Sequence, residues 1–560
     1  MNLLSRFLPR TSFSSYEDFK QNYRLSVPEN FNFGFDVVDV YAAEAPEKTA
    51  LIHYAADDTV TRYTFLEISR RSNQVAGMFR RHGVKKGDVV LMMMLERPEA
   101  WITIVALTKL GATVIPATFQ LAPHDIVYRC DAAGVKYLAV ADDENIIAAV
   151  RGARADCKTV EGVFVVGDGI TEKYAGEFLD YRAEADGMPT AFARPTGEDA
   201  THNGDTMMIY FSSGTTGMPK MIAHNYTYPL GHITTAKYWQ HVEDDGVHLT
   251  YSDSGWAKFA WGKIFGQWIA GTAIVAFDTG RFHPEQLKRA INTLHLTTFC
   301  APPTIYRFLI KEDLSDCDFS TIRHCCTAGE PLNPEVFNRF REQTGLEIYE
   351  GFGQTEGTVL IANYGWDPIK VGSTGKPAPL YDIQIVDPEG SRCEDGVVGS
   401  IVVMNAAADH PTGLFMEYKD DPAAMQKAWR QGFYDTGDTA WRDSDGYIWF
   451  EGRSDDVIKC SGYRIGPFEV ESVLMTHPSV LECAVTAAPD PIRGQVVKAT
   501  VVLARGWEAS DELRKELQNH VKKNTAPYKY PRILEFVSEL PKTVSGKIRR
   551  AEIRRTDAEK

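Results

Sequence analysis

The sequence predicts an α/β protein with a large N-terminal domain of layered α/β subdomains plus a β-rich subdomain, and a small α+β C-terminal domain. Three observations carry this. Between Val89 and Pro302, short apolar runs rich in β-branched residues alternate with helix-like stretches. After about Ser373 the texture changes to strands and turns with little helix. From Asp455 onward a compact mixture of helix and strand follows. The chain has 560 residues, well beyond the roughly 250–300 at which a single hydrophobic core stops growing. The expected division is residues 1–454, with the β-rich part at about 373–454, and residues 455–560.

The elements follow in order. Strands are expected in VVLMMM (Val89–Met94), ATVIPA (Ala112–Ala117), KYLAVA (Lys136–Ala141), VFVVG (Val163–Gly167), MMIYFSS (Met207–Ser213), AIVAF (Ala273–Phe277) and TTFCAP (Thr297–Pro302). Helices are expected in PEAWITIVALTKLG (Pro98–Gly111) and PEQLKRAINTLHL (Pro284–Leu296). Their apolar residues recur at three- and four-residue spacing behind a first-turn proline. Continuous buried strands alternating with helices imply largely parallel sheets. The β-rich part rests on YDIQIVDPEG (Tyr381–Gly390), GSIVVMN (Gly399–Asn405) and DGYIWFEG (Asp445–Gly452). The last unit reads as helix (Pro467–His477), two strands (Val480–Ala487, Val496–Ala504) and helix (Ser510–Asn524).

Bulk composition excludes several classes. The net charge of -15 argues against nucleic-acid partners and anionic membranes, which need an excess of Lys and Arg. Nine cysteines with no C-x-x-C pair argue against a disulfide framework or zinc site and for a reducing compartment. No apolar run approaches the roughly 18 residues of a transmembrane segment. The start, MNLLSRFLPRTSFSS, has two arginines, four serines and no acid before Glu17. The expected location is therefore cytoplasmic, or an organelle matrix if that start is a transit peptide. A homo-oligomer is compatible with the sequence.

Four stretches carry chemistry. FSSGTTGMPK (Phe211–Lys220) follows a predicted strand. Its glycines let N–H groups converge on an anion, its hydroxyls add donors, and Lys220 adds positive charge. It is not the G-x-x-x-x-G-K-[ST] loop, and taken alone it is also a plausible surface turn. YEGFGQTEG (Tyr349–Gly357) sets Phe352, able to stack a base, beside Gln354, Thr355 and Glu356, a hydroxyl and a carboxylate suited to phosphate and magnesium. AGEPL (Ala328–Leu332) lies just upstream as a turn. YDTGD (Tyr434–Asp438) and the following GRSDDVIKCSGYRIGP (Gly452–Pro467) offer Asp438 for two ribose hydroxyls and Arg453 as a rigid donor fork. Alone, they read as a turn acid and a surface ion pair. PKTVSGKIRR (Pro541–Arg550) places Lys547 after Ser-Gly in a basic tail.

Together, in this order, the four stretches closely resemble the core motifs of the adenylate-forming superfamily, and most of the chain shares the likeness. The resemblance implies an ATP-dependent acid–thiol ligase. A carboxylate attacks the α-phosphate of ATP, pyrophosphate leaves, and the thiol of coenzyme A then displaces AMP. It implies that Ser212, Ser213, Gly214, Thr215, Thr216, Gly217 and Lys220 handle the departing pyrophosphate. Gly329, Glu330, Glu350, Gly351, Phe352, Gln354 and Thr355 would hold adenine and the α-phosphate, Glu356 would bind Mg2+, and Asp438 and Arg453 would hold the ribose. Lys547 would be essential for adenylation and not for thioester formation, with Thr355 and Glu356 as its catalytic companions. Such a step needs two anions held together and charge stabilised, not a protein nucleophile.

The same resemblance implies a rotation of the C-terminal domain about Asp455 between the two half-reactions. It would bring Ser461, Gly462, Tyr463 and Arg464 to coenzyme A, with Arg493 and Lys522 near its phosphates. The stretch SDSGWAKFAWGKIFGQWIAGT (Ser252–Thr272) resembles the medium-chain acyl-CoA synthetase branch. Acetate-specific relatives place a tryptophan before Gln-Thr-Glu, where this chain has Gly353. The expectation is a vacated space for several methylenes, each worth about 0.8 kcal/mol when buried, in a pocket that includes Trp256, Phe259 and Trp261. The expected substrate is a medium-chain, branched or aryl acid. The alternatives are a short-chain CoA ligase and a free-standing acyl-carrier-protein ligase.

Overall fold

The computed structural model describes residues 1–212, 218–280, 282–404, 406–460, 463–490, 494–542 and 548–558. Two large sheets form the body. The first runs, edge to edge, Lys376–Pro377, Val359–Ala362, Ile348–Gly353, His324–Ala328, Thr298–Cys300, Val247–Thr250, Ala273–Asp278, Thr49–Ala55, Val60–Thr64. The second runs Glu417–Lys419, Lys220–Asn225, Thr206–Ser212, Thr113–Pro116, Val89–Met93, Val135–Ala141, Gly162–Val166, Leu179–Asp180. Each of the seven apolar runs contains a strand, and the middles of both sheets are parallel, as expected for strands buried on both faces.

Each sheet changes character at one side. Ile348–Gly353 is parallel to His324–Ala328 but antiparallel to Val359–Ala362. Thr206–Ser212 is parallel to Thr113–Pro116 but antiparallel to Lys220–Asn225. The two chemistry-bearing loops are the hairpins at these two junctions. They sit at carboxyl ends of parallel strands, where ligands gather in α/β sheets.

The helix Pro98–Leu110 is buried all round and ends at Gly111 with φ 86°, the left-handed cap its sequence called for. Its Lys109 is buried but compensated by Asp39 Oδ1 at 2.6 Å and Asn73 Oδ1 at 2.7 Å. The helix Pro284–Leu294 stops short of the expected Leu296, because His295 takes a left-handed φ of 51°.

A third sheet comprises Ile383–Val386, Gly399–Val403, Phe433–Arg442 and Trp429–Arg430, with Ile448–Arg453 paired to Phe433–Arg442. Two pieces of the β-rich stretch leave it: Lys376–Pro377 joins the first sheet and Glu417–Lys419 the second. YDTGD is not a turn. It lies inside the ten-residue strand Phe433–Arg442, with Asp438 in register with Arg453.

The fourth sheet lies wholly after Asp455: Tyr463–Ile465, Ile458–Cys460, Gly494–Leu503 and Val480–Asp490, with Ile533–Val537 paired to Gly494–Leu503. Helices Pro467–Met475 and Asp511–Asn524 pack on it.

The N-terminal stretch is part of the body. Leu3, Leu4, Phe7 and Leu8 are buried in the main core, and Ser15 caps the helix Tyr16–Asn22. Tyr238 and Trp366 donate to the Thr11 and Phe13 carbonyls at 3.1 and 3.0 Å. No helix among the described residues is long and apolar enough to cross a membrane.

Candidate active site

The hairpin Gln354–Thr358 is held from three directions. On the phosphate-loop side, strand alternation puts Lys220, Ile222 and His224 on one face. His224, fully buried and stacked 3.9 Å from the Tyr228 ring, donates from Nε2 to the Thr355 carbonyl at 2.7 Å. Burial pushes the His224 pKa down to about 3 against the modest effect of that hydrogen bond, so the imidazole is neutral. From the neighbouring strand, where Tyr418 is in register with Ile222, the Tyr418 hydroxyl donates to Glu356 Oε1 at 2.7 Å. The Phe415 amide donates to the Glu356 carbonyl at 2.7 Å. The Lys220 ammonium lies over the Tyr418 ring, 4.5 Å from its centre.

On the third-sheet side, Gln354 Nε2 donates to the Thr436 carbonyl at 2.8 Å and to Asp438 Oδ2, while Tyr434 donates to Gln354 Oε1 at 2.8 Å. Asp438 is buried, and Arg453 Nη1 lies 3.8 Å from its Oδ1. Arg453 also lies 3.7 Å from Asp455. Gln354, Thr355, Glu356, Asp438, Arg453 and Lys220 are thus brought to one seam.

The remaining adenine-side residues sit behind it. The Glu350 carboxylate is buried and accepts from the Leu332 amide at 3.2 Å, and burial pushes its pKa up to about 8. It ties the strand Ile348–Gly353 to the turn after His324–Ala328. In that turn Gly329 has φ 99°, a left-handed backbone that favours glycine, with Lys258 Nζ 3.0 Å from where a Cβ would lie. Glu330 pairs with Arg307 at 3.2 Å. Gly351 backs onto the Trp239 indole, and Phe352 packs beside Phe450 at 5.9 Å.

The expected vacant space at Gly353 is not there. A Cβ built on Gly353 falls 2.1 Å from Cη2 of Trp261 and 2.4 Å from the Thr358 carbonyl oxygen. The indole of Trp261 occupies the room that a side chain at 353 would take. Phe259 is fully buried against Trp101, ring centres 4.8 Å apart, and serves the core. Trp256 is half-buried at the start of the helix Ala257–Gly262. Gly255 presses on the Ala117–Thr118 backbone, where a Cβ would come within 2.1 Å.

On the C-terminal side, Tyr463 and Arg464 pair with Cys460 and Lys459 through their backbones. Gly466 backs onto the Glu451 carbonyl. Lys522 lies 4.0 Å over the Tyr530 ring. Ser213, Gly214, Thr215, Thr216, Gly217, Ser461, Gly462, Arg493 and Lys547 lie outside the described residues. Just beyond Lys547, Arg550 is fixed to Glu471 at 2.8 Å and Arg554 to Asp456.

The donor set suits magnesium held mainly by phosphate and water. Glu356 is half-buried and offers hard oxygen, with one carboxylate oxygen engaged by Tyr418. No group of three or more His, Cys, Asp or Glu side chains placed to hold a metal ion occurs among the described residues.

The signature described as AMP-binding enzyme matches residues 38–409, and that of the AMP-binding enzyme C-terminal domain matches residues 469–547. The chain belongs to the AMP-binding enzyme family. The C-terminal match runs up to Lys547 itself. This AMP-binding enzyme is 39% identical over 557 residues to acyl-coenzyme A synthetase ACSM3, mitochondrial, of Mus musculus, covering 98% of this chain and 94% of that one. Among solved structures it resembles the anthranilate CoA ligase AuaEII in complex with anthranoyl-AMP, at 28% identity and a TM-score of 0.85, covering 95% and 98% of the two chains. It also resembles the Brucella canis acyl-CoA synthetase, at 32% identity and a TM-score of 0.71, covering 94% of each.

Sequence reasoning missed His224, Tyr434 and Tyr418. His224 had a signal, since it shares a strand face with Lys220. Tyr418 had none, because its strand pairs across nearly two hundred residues of chain.

Proposed function

We propose that the protein activates a medium-chain, branched or aryl carboxylic acid with ATP through an acyl-adenylate and passes the acyl group to coenzyme A, releasing AMP and pyrophosphate. One observation carries the reading. The Gln354–Thr355–Glu356 hairpin is bonded both to the strands flanking the phosphate loop and to the Asp438–Arg453 pair. A triphosphate and a ribose would therefore meet at one place.

In this reading Asp438 accepts from the ribose hydroxyls, and Gln354 orients its carboxylate from behind. Thr355 donates to the α-phosphate, its backbone pinned by neutral His224. Lys220 and the phosphate loop hold the departing pyrophosphate. Glu356 would hold magnesium, which when bound would supply charge neutralisation at the phosphates. Lys547 bridges the two reacting anions, and Asp455 is the hinge that withdraws it. Ser461, Gly462, Tyr463, Arg464, Arg493 and Lys522 then face coenzyme A. The names of the similar proteins, acyl-coenzyme A synthetase and CoA ligase, support a coenzyme A acceptor. The acyl chain would end against Trp261, which makes that indole, with Gly353, the boundary of the acid site.

The test is pyrophosphate release over a panel of acids from acetate to decanoate and benzoate, with coenzyme A and holo-acyl carrier protein compared as acceptors. Turnover of C4–C10 or aryl acids with coenzyme A is expected. Turnover confined to acetate, or only with the carrier protein, contradicts the reading.

A further inference from the structure

We propose that Tyr418 is a positioning residue of the adenylation step: its phenol holds the Lys220 ammonium and the Glu356 carboxylate apart, so that both remain available to the metal–nucleotide complex. This rests on the reading of Glu356 as the magnesium carboxylate.

Lys220 and Glu356 carry opposite charges in a half-buried site, where such charges attract and collapse into a direct pair unless something intervenes. Tyr418 intervenes with two different parts of one side chain. Its ring face carries the ammonium at 4.5 Å, and its hydroxyl donates to Glu356 Oε1 at 2.7 Å. The first contact uses the negative face of the aromatic ring. The second is a charge-assisted hydrogen bond that fixes the rotation of the carboxylate.

The spacer is itself firmly seated. Tyr418 is 6% exposed. Its strand is laddered to that of Lys220 through the Tyr418–Ile222 and Lys419–Met221 pairs. Three residues upstream, the Phe415 amide holds the Glu356 carbonyl at 2.7 Å. Both charged residues are therefore referenced to the single segment 415–419.

Tyr418→Phe removes only the hydroxyl and keeps the ring and its packing. The experiment is equilibrium Mn2+ binding, followed by electron paramagnetic resonance, to enzyme saturated with ATP in the absence of any acid, so that no turnover occurs. Freed from its donor, Glu356 should swing onto Lys220, and Mn2+ affinity should fall about tenfold. In a Lys220→Met background the same Tyr418→Phe change should have no effect, because the competing ammonium is gone. An equal loss in both backgrounds, or no loss in either, overturns the proposal. Glu356→Gln separates the two readings. If it weakens Mn2+ binding while Tyr418→Phe does not, the spacer idea alone fails. If it leaves Mn2+ binding intact, the metal assignment of Glu356 fails and takes the spacer with it.

Discussion

The Trp261 indole stands where a side chain on residue 353 would begin, 2.1 Å from a Cβ built there. Gly353 is therefore a packing necessity before it is an opening. Gly353→Ala should destabilise the enzyme by about 1–3 kcal/mol, the usual cost of overpacking. Gly353→Trp should give little soluble protein instead of a clean shift toward acetate. Trp261→Leu should recover only part of the Gly353→Ala loss, since the Thr358 carbonyl oxygen also lies 2.4 Å from that Cβ, and shift the preferred acid to longer chains. Thermal melts and a chain-length profile of the three variants check this; a stable Gly353→Trp with an acetate preference would contradict it.

This reversal shows what the sequence could carry. The loops stood out because their chemistry is local: hydroxyls, glycines and a Gln-Thr-Glu run suit phosphate and metal, though only the four stretches together pointed to the family. The parallel strands were legible because burial on both faces leaves continuous apolar runs. The strand under Asp438 was not legible because Thr-Gly-Asp imitates a turn, yet cross-strand pairing with Arg453 draws it into a strand. Trp261 above Gly353, and Tyr418 beneath Lys220, depend on contacts between distant segments that no local pattern encodes.

Asp438 is buried beside Gln354 and Arg453. Asp438→Asn should raise the KM for ATP about tenfold to a hundredfold, the scale of lost charged hydrogen bonds, with little change in the KM for the acid. Steady-state kinetics in each substrate measure the split. A uniform loss in kcat with both KM values intact would assign Asp438 to the fold alone.

The depressed pKa of His224 gives a signed pH dependence. Its folded value, about 3, lies below the ordinary 6.5. Between these values the unfolded chain binds a proton that the folded chain refuses. The contribution is fully present above pH 6.5 and is lost as pH falls toward 3. Between pH 7.5 and 5.5 the loss should be on the order of 1 kcal/mol for this residue. Buried His248 is shifted the same way, to about 3. His224→Gln keeps a donor for Thr355 but cannot titrate, so its melting temperature should fall less on acidification than that of the parent. Parallel pH curves would refute this.

Lys547→Ala should abolish acyl-adenylate formation while thiolysis of supplied acyl-AMP by coenzyme A survives. Pyrophosphate exchange and thioester formation, measured separately, decide it. Equal loss of both half-reactions would remove Lys547 from its adenylation role. Arg550→Ala, which breaks the pair with Glu471, is the comparison for general loosening of this tail and should affect both.

The strand Glu417–Lys419 has a further consequence. Its sequence neighbours on both sides belong to the third sheet, yet it is laddered to the second. That ladder fastens the Asp438 side of the site to the Lys220 side with main-chain bonds, and side-chain changes cannot readily undo it. Past the turn at Arg453–Val457, by contrast, no strand pairing among the described residues crosses between the body and the fourth sheet. What crosses there is side-chain contact, such as the Asn333 amide donating to the Ser472 carbonyl at 3.4 Å. The rotation proposed between the two half-reactions would part the chain at this boundary, where Asp455 stands.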